Sequence, residues 1–200
     1  MAFVGNRPIK NKPVVGVLAL QGAVEPHKPH IIAAGGIFRA VKTAADFEAV
    51  DAFILPGGES TTMLKLIDTF NLWDSLKENC AAKPVWGICA GSILMAQTVT
   101  NPAQKSFGLL PMTVQRNGYG RQLDSHHALI NDYTVSFIRA PVIQDTQGKL
   151  DILATHEGHP VWVALGNKMA TTFHPELTQV FPSPMHVQFL DITRQSLNRN

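Results

Sequence analysis

The sequence predicts an α/β protein with three layers: a mostly parallel central sheet flanked by helices. In the first half of the chain, short apolar runs alternate with segments of helical pattern, as strands and crossover helices do in a parallel sheet. These runs are apolar at nearly every position, which is typical of strands covered on both faces. In the second half, short strand candidates separated by turns predict antiparallel strands added to the same sheet.

The elements of the first half follow in order. A strand is predicted over 14–20, and Gln21-Gly22 ends it. The next helix is expected to begin late, near Pro26 to Pro29, because proline is tolerated only in the first helical turn, and Gly35-Gly36 ends it. Further strands are predicted at 37–41, 52–55 and 85–88, and helices at 44–50, 61–70, 72–80 and 92–97.

The second half is predicted to add short strands and a closing helix. The strands are expected at 112–115, 128–130, 135–138, 152–155, 161–165 and 169–173, and the helix at 184–197. Residues 1–13 are predicted to form a flexible arm and residues 14–200 a single domain. A length of 200 residues suits one domain with a sizeable core.

Composition argues against several classes of function. The net charge is +2 and no basic run occurs, so neither nucleic acid nor a membrane is predicted as a partner. No apolar run reaches the ~18 residues of a membrane span, and the start lacks the apolar stretch of a secretory signal. The two cysteines imply no disulfide framework, and a free thiol predicts a reducing, cytoplasmic location.

The most informative stretch runs from Val85 to Gly91 and contains Cys89. An apolar strand, a turn of small residues and an apolar helix would lift the thiol onto a sharp elbow, as in the G-x-S-x-G motif with sulfur in place of oxygen. The helix N-terminus would favour a thiolate, and the Ala90 N–H would face a developing oxyanion. The alternative is an inert core cysteine, the usual state of a free one.

Four features fall at predicted carboxyl ends of strands, where open α/β sheets bind their ligands. They are Gln21-Gly22, Pro56 to Ser60, Cys89 to Gly91, and Phe173 to Glu176. Within the second, Gly57-Gly58 would let the backbone approach a ligand closely and supply another oxyanion N–H, unless it is an ordinary tight turn.

His174 and Glu176 stand two apart across Pro175. In an extended segment they point the same way, so Glu176 would hold the ring of His174 while its other nitrogen faces Cys89. This is the arrangement of nucleophile, base and orienting group. The alternative is a surface histidine followed by a turn.

The other histidines are assigned no catalytic role. His156-Glu157-Gly158-His159 is one residue short of the zinc motif H-E-x-x-H and predicts a turn, so no metal is expected. His126 and His127 are predicted to form a solvated edge pair. His27 and His30 share a helix face that is expected to be solvated or to contact a partner; the alternative is that the two are ligands.

With these residues in hand, the chain resembles the class I (triad) glutamine amidotransferases, and among them the glutaminase subunits of pyridoxal 5′-phosphate synthases. The resemblance spans Val15 to Leu190. The cysteine and the His-Pro-Glu segment are shared by the whole class. The pieces specific to the subfamily are Leu20-Gln21-Gly22, Gly57 to Thr61, Arg116 to Gln122, and Ile138 to Pro141.

The resemblance implies a flavodoxin-like architecture and a glutaminase without cofactor or metal. Cys89 would attack the side-chain amide of glutamine to form a γ-glutamyl thioester, His174 would transfer protons, and Glu176 would orient His174. The oxyanion hole is implied at the N–H groups of Gly58 and Ala90. The implied glutamine-binding residues are Gly57, Gly58, Glu59, Arg116, Ile138 and Arg139.

The resemblance also implies a partner. Ammonia would pass through a tunnel to a synthase subunit that makes pyridoxal phosphate from a pentose phosphate and a triose phosphate, within a large hetero-oligomer. Gln21 and Gly22 lie where the family contacts that subunit. Docking would set the oxyanion-hole peptide and so select the competent state.

The chain departs from the family pattern in four places. Ile88 stands where Thr often precedes the cysteine, Pro26 and Pro29 alter the partner-facing helix, and His126-His127 replace a usual aromatic residue. The arm 1–13 is additional. No departure removes a catalytic group.

Three rival functions stay open from the residues. Another amidotransferase glutaminase is disfavoured by the segments 116–122 and 138–141. A regulatory or binding protein with an inert cysteine is disfavoured by the complete triad. A cysteine peptidase or thiol-redox protein is the third, but redox work needs a resolving cysteine, and Cys80 lies at the far end of a helix.

Overall fold

The computed structural model describes residues 12–118 and 125–199. In chain order these residues form β1 (Val14–Leu18), α1 (His27–Ala33), β2 (Ile37–Val41), α2 (Ala44–Glu48), β3 (Ala52–Leu55), α3 (Ser60–Thr69), α4 (Trp73–Ala82), β4 (Val85–Ile88), α5 (Ala90–Met95), β5 (Ala96–Thr100), β6 (Leu110–Gln115), β7 (Ser125–Ile130), β8 (Tyr133–Ile138), β9 (Val142–Asp145), β10 (Asp151–His156), β11 (His159–Leu165), β12 (Lys168–Thr171), a 3₁₀ turn (Pro175–Leu177) and α6 (Pro184–Leu197).

Seven strands build the central sheet, in the order β10-β11-β12-β4-β3-β1-β2. The five strands from β12 to β2 are mutually parallel, while β11 runs antiparallel to β12 and β10 antiparallel to β11. The predicted fold class, a mostly parallel sheet flanked by helices and extended by antiparallel strands, is confirmed.

The central strands are buried on both faces, as their apolar sequences predict. Every residue of β3, β4 and β12 is buried. Their side chains alternate between two cores: Phe53 and Leu55 face one core with Met63, whereas Ile54 faces the other with Trp86. The period-2 geometry of a strand thus divides one apolar run between the two helical layers.

Part of the second half differs from prediction. The strands predicted near 112–115, 128–130 and 135–138 are not an extension of the central sheet; they lie in a three-stranded sheet, β5-β6-β9, and in the hairpin β7-β8. The helix predicted to reach residue 97 ends at Met95, and Ala96 is already extended, with ψ 148°. The β-branched run Thr98 to Thr100 explains why the chain continues as β5.

Only Lys12 and Pro13 of the predicted arm, 1–13, lie within the described residues. Pro13 is buried, and its carbonyl accepts a hydrogen bond from the N–H of Ile37 at 2.8 Å. Among the described helices, none has both the length and the apolar character that a bilayer crossing requires.

Topology brings the four predicted site segments together. They follow β1, β3, β4 and β12, which are consecutive neighbours in the sheet, so they share one edge. The hairpin β7-β8 closes over this edge through a bridge between Ser136 and His174, in which the N–H of His174 donates to the carbonyl of Ser136 at 2.8 Å.

Candidate active site

Cys89 stands on a sharp elbow between β4 and α5. Its backbone has φ 46° and ψ −102°, a region that non-glycine residues rarely occupy. The Cys89 N–H donates to the carbonyl of Thr171 at 2.8 Å, which anchors the turn to β12. A Cβ at Gly91 would overlap the carbonyl of Leu55, so the small residue after the elbow lets α5 pack directly on β3.

His174 and Glu176 lie beside this elbow, just after β12. The Nδ1 of His174 is 2.7 Å from Oε1 of Glu176, and both side chains are almost fully buried. The structure therefore brings the carboxylate and the imidazole together as the i, i+2 spacing predicts. Cys89 and His174 line the same cavity, and Cys89 is near enough to influence the pKa of the ring.

The charges of this trio depend on one another. Burial alone would lower the pKa of His174, but the hydrogen bonds to Cys89 and Glu176, with their charges, outweigh burial and raise it to about 10. Burial opposes ionisation of Glu176, yet the hydrogen bond to His174 and the nearby His27 hold its pKa below the ordinary value. A protonated His174 beside the sulfur is suited to pair with a thiolate nucleophile.

The Gly57-Gly58 loop passes between two site residues. A Cβ at Gly57 would overlap the imidazole of His174, and one at Gly58 would lie 2.5 Å from Oε1 of Gln21. Gln21 in turn accepts a hydrogen bond from the N–H of Glu59 at 2.9 Å. Neither position has space for a Cβ, so both require glycine, as the Gly-Gly dipeptide in the sequence indicated.

Glu59 and Arg116, both predicted to bind glutamine, contact each other. Nη2 of Arg116 is 3.3 Å from Oε1 of Glu59. The Glu59 carboxylate also caps α3, accepting hydrogen bonds from the Thr62 N–H at 2.9 Å and from the Thr61 hydroxyl. Partial burial opposes ionisation, but these hydrogen bonds and Arg116 hold the pKa of Glu59 below its usual value.

Ile138 and Arg139 form the wall opposite the elbow, at the end of β8. The Cys89 thiol is oriented toward the carbonyl of Ile138, with the sulfur 3.9 Å from the oxygen. Arg139 has φ 43°, so the backbone turns sharply at this lining residue.

A cavity of about 250 Å³ collects these groups. Its size suits a ligand smaller than the drug-sized molecules that fill pockets of roughly 300–1,000 Å³. Its lining comprises Gln21, Gly58, Glu59, Ser60, Cys89, Ala90, Ile93, Arg116, Asn117, Ile138, Arg139 and His174.

The cavity differs from the predicted site at its margins. Gly57 and Glu176 lie behind the lining, against His174, and Gly22 lies behind Gly58. The sequence did not identify Ser60, Ile93 or Asn117 as lining residues; the Asn117-Gly118 pair is a turn signal that would have marked the last of them. The predicted motif residues 119–122, including Arg121, lie outside the described residues.

The prediction for His27 and His30 is wrong, because both are fully buried between α1 and α6. Nδ1 of His27 is 2.9 Å from Nε2 of His186, and the ring of His30 stacks on the same histidine. Burial lowers the pKa of His27 to about 4. The two prolines obscured the apolar face of α1 in the sequence.

The prediction that His126 and His127 form a solvated edge pair is right for one of the two residues. His127 is exposed, but His126 is half-buried and stacks on Phe137, with ring centroids 4.9 Å apart. Cys80 is buried, and desolvation raises its pKa to about 12, which suits a structural thiol and not a redox partner.

Comparison with known proteins gives concordant matches. Residues 17–189 match the SNO glutamine amidotransferase family. A pyridoxal 5′-phosphate synthase subunit PdxT of Solibacter usitatus is 44% identical over 176 residues, covering 82% of this chain and 92% of that protein. PdxT of Streptomyces avermitilis is 39% identical over 194 residues, covering 92% and 96%.

A solved structure supports the same assignment. The crystal structure of a glutamine amidotransferase superimposes with a TM-score of 0.80 at 34% identity, covering 90% of this chain and 98% of that one. The resemblance inferred from the sequence motifs is confirmed. With a family match across most of its length, the chain belongs to the SNO glutamine amidotransferase family.

Proposed function

We propose that this chain hydrolyses L-glutamine to L-glutamate and ammonia, and that the ammonia is delivered to a synthase subunit for the synthesis of pyridoxal 5′-phosphate. The observation that carries this proposal is the trio gathered at the elbow. Cys89 and His174 line the same cavity, and Nδ1 of His174 lies 2.7 Å from Oε1 of Glu176.

The first half of the reaction forms a thioester. The Cys89 thiolate attacks the side-chain carbonyl carbon of glutamine, and the N–H groups of Gly58 and Ala90 stabilise the oxyanion. The His174 imidazolium gives its proton to the departing nitrogen, so the C–N bond breaks and ammonia leaves. Glu176 keeps the ring oriented throughout.

The second half regenerates the enzyme. His174, now neutral, removes a proton from a water molecule that attacks the γ-glutamyl thioester. The C–S bond breaks, glutamate leaves, and the proton stays on His174 beside the Cys89 thiolate. No cofactor or metal is needed for this cycle.

The polar rim of the cavity suits the α-groups of the substrate. Glu59 is placed to take the ammonium group, and Arg116 and Arg139 supply positive charge for the carboxylate. Because Glu59 and Arg116 already contact each other, glutamine would join an existing ion pair. Gly57, Gly58 and the backbone at Ile138 complete the proposed binding set.

The names of the relatives support a partner subunit. The proteins of S. usitatus and S. avermitilis are named as subunits of a pyridoxal 5′-phosphate synthase. We assign Gln21 and Gly22 to the contact with the synthase subunit in a cytoplasmic hetero-oligomer, without nucleic acid or membrane as partners. The hydrogen bond from the Glu59 N–H to Gln21 would transmit docking to the oxyanion loop.

The test is ammonia release from glutamine, with and without the matching synthase subunit. We expect strong stimulation by the partner that disappears in Cys89→Ala. Full activity of the isolated chain would point to a free-standing amidohydrolase. No release in either condition would favour an inert binding protein or a different partner.

A further inference from the structure

Three potential metal ligands meet on the face of the molecule formed by the hairpins β7-β8 and β10-β11. They are His126 on β7, His156 at the end of β10, and Glu157 in the turn that follows. One ligand atom from each lies within 4.8 Å of the others. The proposed catalytic cycle uses none of these residues.

The spacing of the two imidazoles fits a shared ion. Nε2 of His126 is 3.2 Å from Nε2 of His156. Two histidine nitrogens bound to one tetrahedral zinc ion, each at about 2.0–2.1 Å, lie roughly 3.3 Å apart. The separation of the two nitrogens therefore already matches that of two ligands on one ion.

The third ligand is close and mobile enough to complete the set. Oε1 of Glu157 is 3.9 Å from Nε2 of His156, and its side chain is 47% exposed. Small rotations of this carboxylate would bring it into the coordination sphere. Two imidazoles and one carboxylate form a donor set that suits Zn²⁺, with the fourth position left to water.

The surroundings hold both rings in place. His126 stacks on Phe137 at 4.9 Å between centroids, and His156 stacks on the same ring at 4.8 Å. Phe137 is buried, so one rigid aromatic residue orients both imidazoles. Such preorganisation lowers the entropy cost of binding an ion.

We propose that His126, His156 and Glu157 form a binding site for a divalent transition metal of the Zn²⁺ type. The ion would join the β7-β8 hairpin to the β10-β11 hairpin. Because β8 ends at Ile138 and pairs with His174 through Ser136, the ion would also restrain one wall of the active-site cavity.

The sequence could not indicate this site. The segment 156–159 lacks the spacing of a zinc helix, and from it no metal was expected. His126 comes from a strand 30 residues away, which only the folded chain places opposite His156.

The test is Zn²⁺ titration against a chromophoric chelator, carried out on the full chain in a Cys89→Ser background so that the catalytic thiol cannot bind the metal. We expect one equivalent of Zn²⁺ at low micromolar affinity or tighter. His126→Phe and His156→Phe, which keep an aromatic ring in the stack, should each weaken binding at least tenfold. Glu157→Gln, at an exposed position, should weaken it severalfold.

The matched control is His127→Asn, which removes the neighbouring exposed histidine and should leave affinity unchanged. Anomalous diffraction at the zinc edge should place the ion between His126 and His156. Equal affinity in the parent and in the His126→Phe/His156→Phe double variant would overturn the proposal. An ion located elsewhere, or a loss in His127→Asn as large as in His126→Phe, would overturn it too.

Discussion

Cys89 is held in a strained conformation by hydrogen bonds on both sides of its peptide unit. Its N–H binds the carbonyl of Thr171, and its carbonyl accepts from the N–H groups of Ser92 and Ile93. A backbone in a sparsely populated region costs on the order of 1–3 kcal/mol and persists only where its surroundings fix it. These contacts involve the backbone alone, so Cys89→Ala should keep the elbow while losing the nucleophile.

Gly57 gives the sharpest prediction at the residue scale. In Gly57→Ala the new Cβ would overlap the His174 imidazole, and the ring must turn away from Glu176 and Cys89. We expect partner-stimulated ammonia release to fall at least 100-fold, and the free energy of unfolding to fall by about 1–3 kcal/mol. Steady-state kinetics and urea unfolding measure the two effects.

Gly166→Ala is the control for that substitution. Gly166 has a positive φ, 58°, and a Cβ there would meet no atom within 4 Å. It should cost roughly 1 kcal/mol of stability and leave activity intact. If Gly57→Ala kept wild-type activity, the packing of the loop against His174 would have no catalytic role.

At this scale the sequence revealed the groups but not their connections. Cys89, His174 and Glu176 could be identified because a nucleophile elbow and an i, i+2 pair are local patterns. The contact of Gln21 with Glu59 and the ion pair between Glu59 and Arg116 span 38 and 57 residues, so no local pattern encodes them.

At the scale of elements, two loops form one unit. The N–H of Ala23, after β1, donates to the carbonyl of Gly57, after β3, at 3.0 Å. Gln21 accepts from the Glu59 N–H, which belongs to the adjacent peptide unit. A change in the first loop therefore moves the second. This coupling joins the segment assigned to the synthase subunit to the proposed oxyanion hole.

Gln21→Ala should uncouple the two loops. The Glu59 N–H would lose its acceptor. Leaving such a donor unsatisfied costs about 1–3 kcal/mol of folding stability. We expect kcat/KM for glutamine, with a saturating synthase subunit, to fall about 10–100-fold, and the melting temperature to fall by roughly 2–10 °C. Glu25→Gln, an exposed change in the same segment, should leave kcat/KM at a saturating synthase subunit unchanged. Wild-type kcat/KM in Gln21→Ala would rule out this coupling.

The helices and strands could be predicted where the pattern of apolar residues was regular. The strands β3 and β4 and the helix α6 have the predicted bounds within two residues, because continuous apolar runs or helical periodicity define them. The strands β5 and β9 were missed. Both belong to the small second sheet, where partly exposed positions weaken the apolar signal.

At the scale of the whole molecule, the buried histidines make stability depend on pH. Burial lowers the pKa of His27 to about 4 and also lowers those of His30 and His186. Their unfolded values lie near 6.5, so the unfolded chain binds more protons as the pH falls below that value. The stabilisation is therefore complete above about pH 6.5 and decreases toward pH 4.

We expect the free energy of unfolding, measured in urea, to fall by at least about 1.4 kcal/mol per pH unit between pH 6 and 5, since one or more protons are taken up on unfolding. His174 does not offset this loss. Its raised pKa of about 10 gives a contribution that is complete below about pH 6.5 and decreases as the pH rises from there toward 10. His127→Asn should show the same slope as wild type. A flat profile would mean that the three histidines do not stay neutral in the folded chain.

The hydrogen bond from Cys89 to Thr171 has a consequence for synthesis of the chain. The elbow lies on β4, whose one neighbour, β3, is translated early, while its other neighbour, β12, arrives more than 80 residues later. Until then one side of β4 lacks its partner strand, the Cys89 N–H lacks its acceptor, and the thiol lacks its base. When β12 pairs with β4, the same step completes the sheet and places His174 beside Cys89. During synthesis on the ribosome, Cys89 therefore acquires its base only when the last strand of the central sheet has paired.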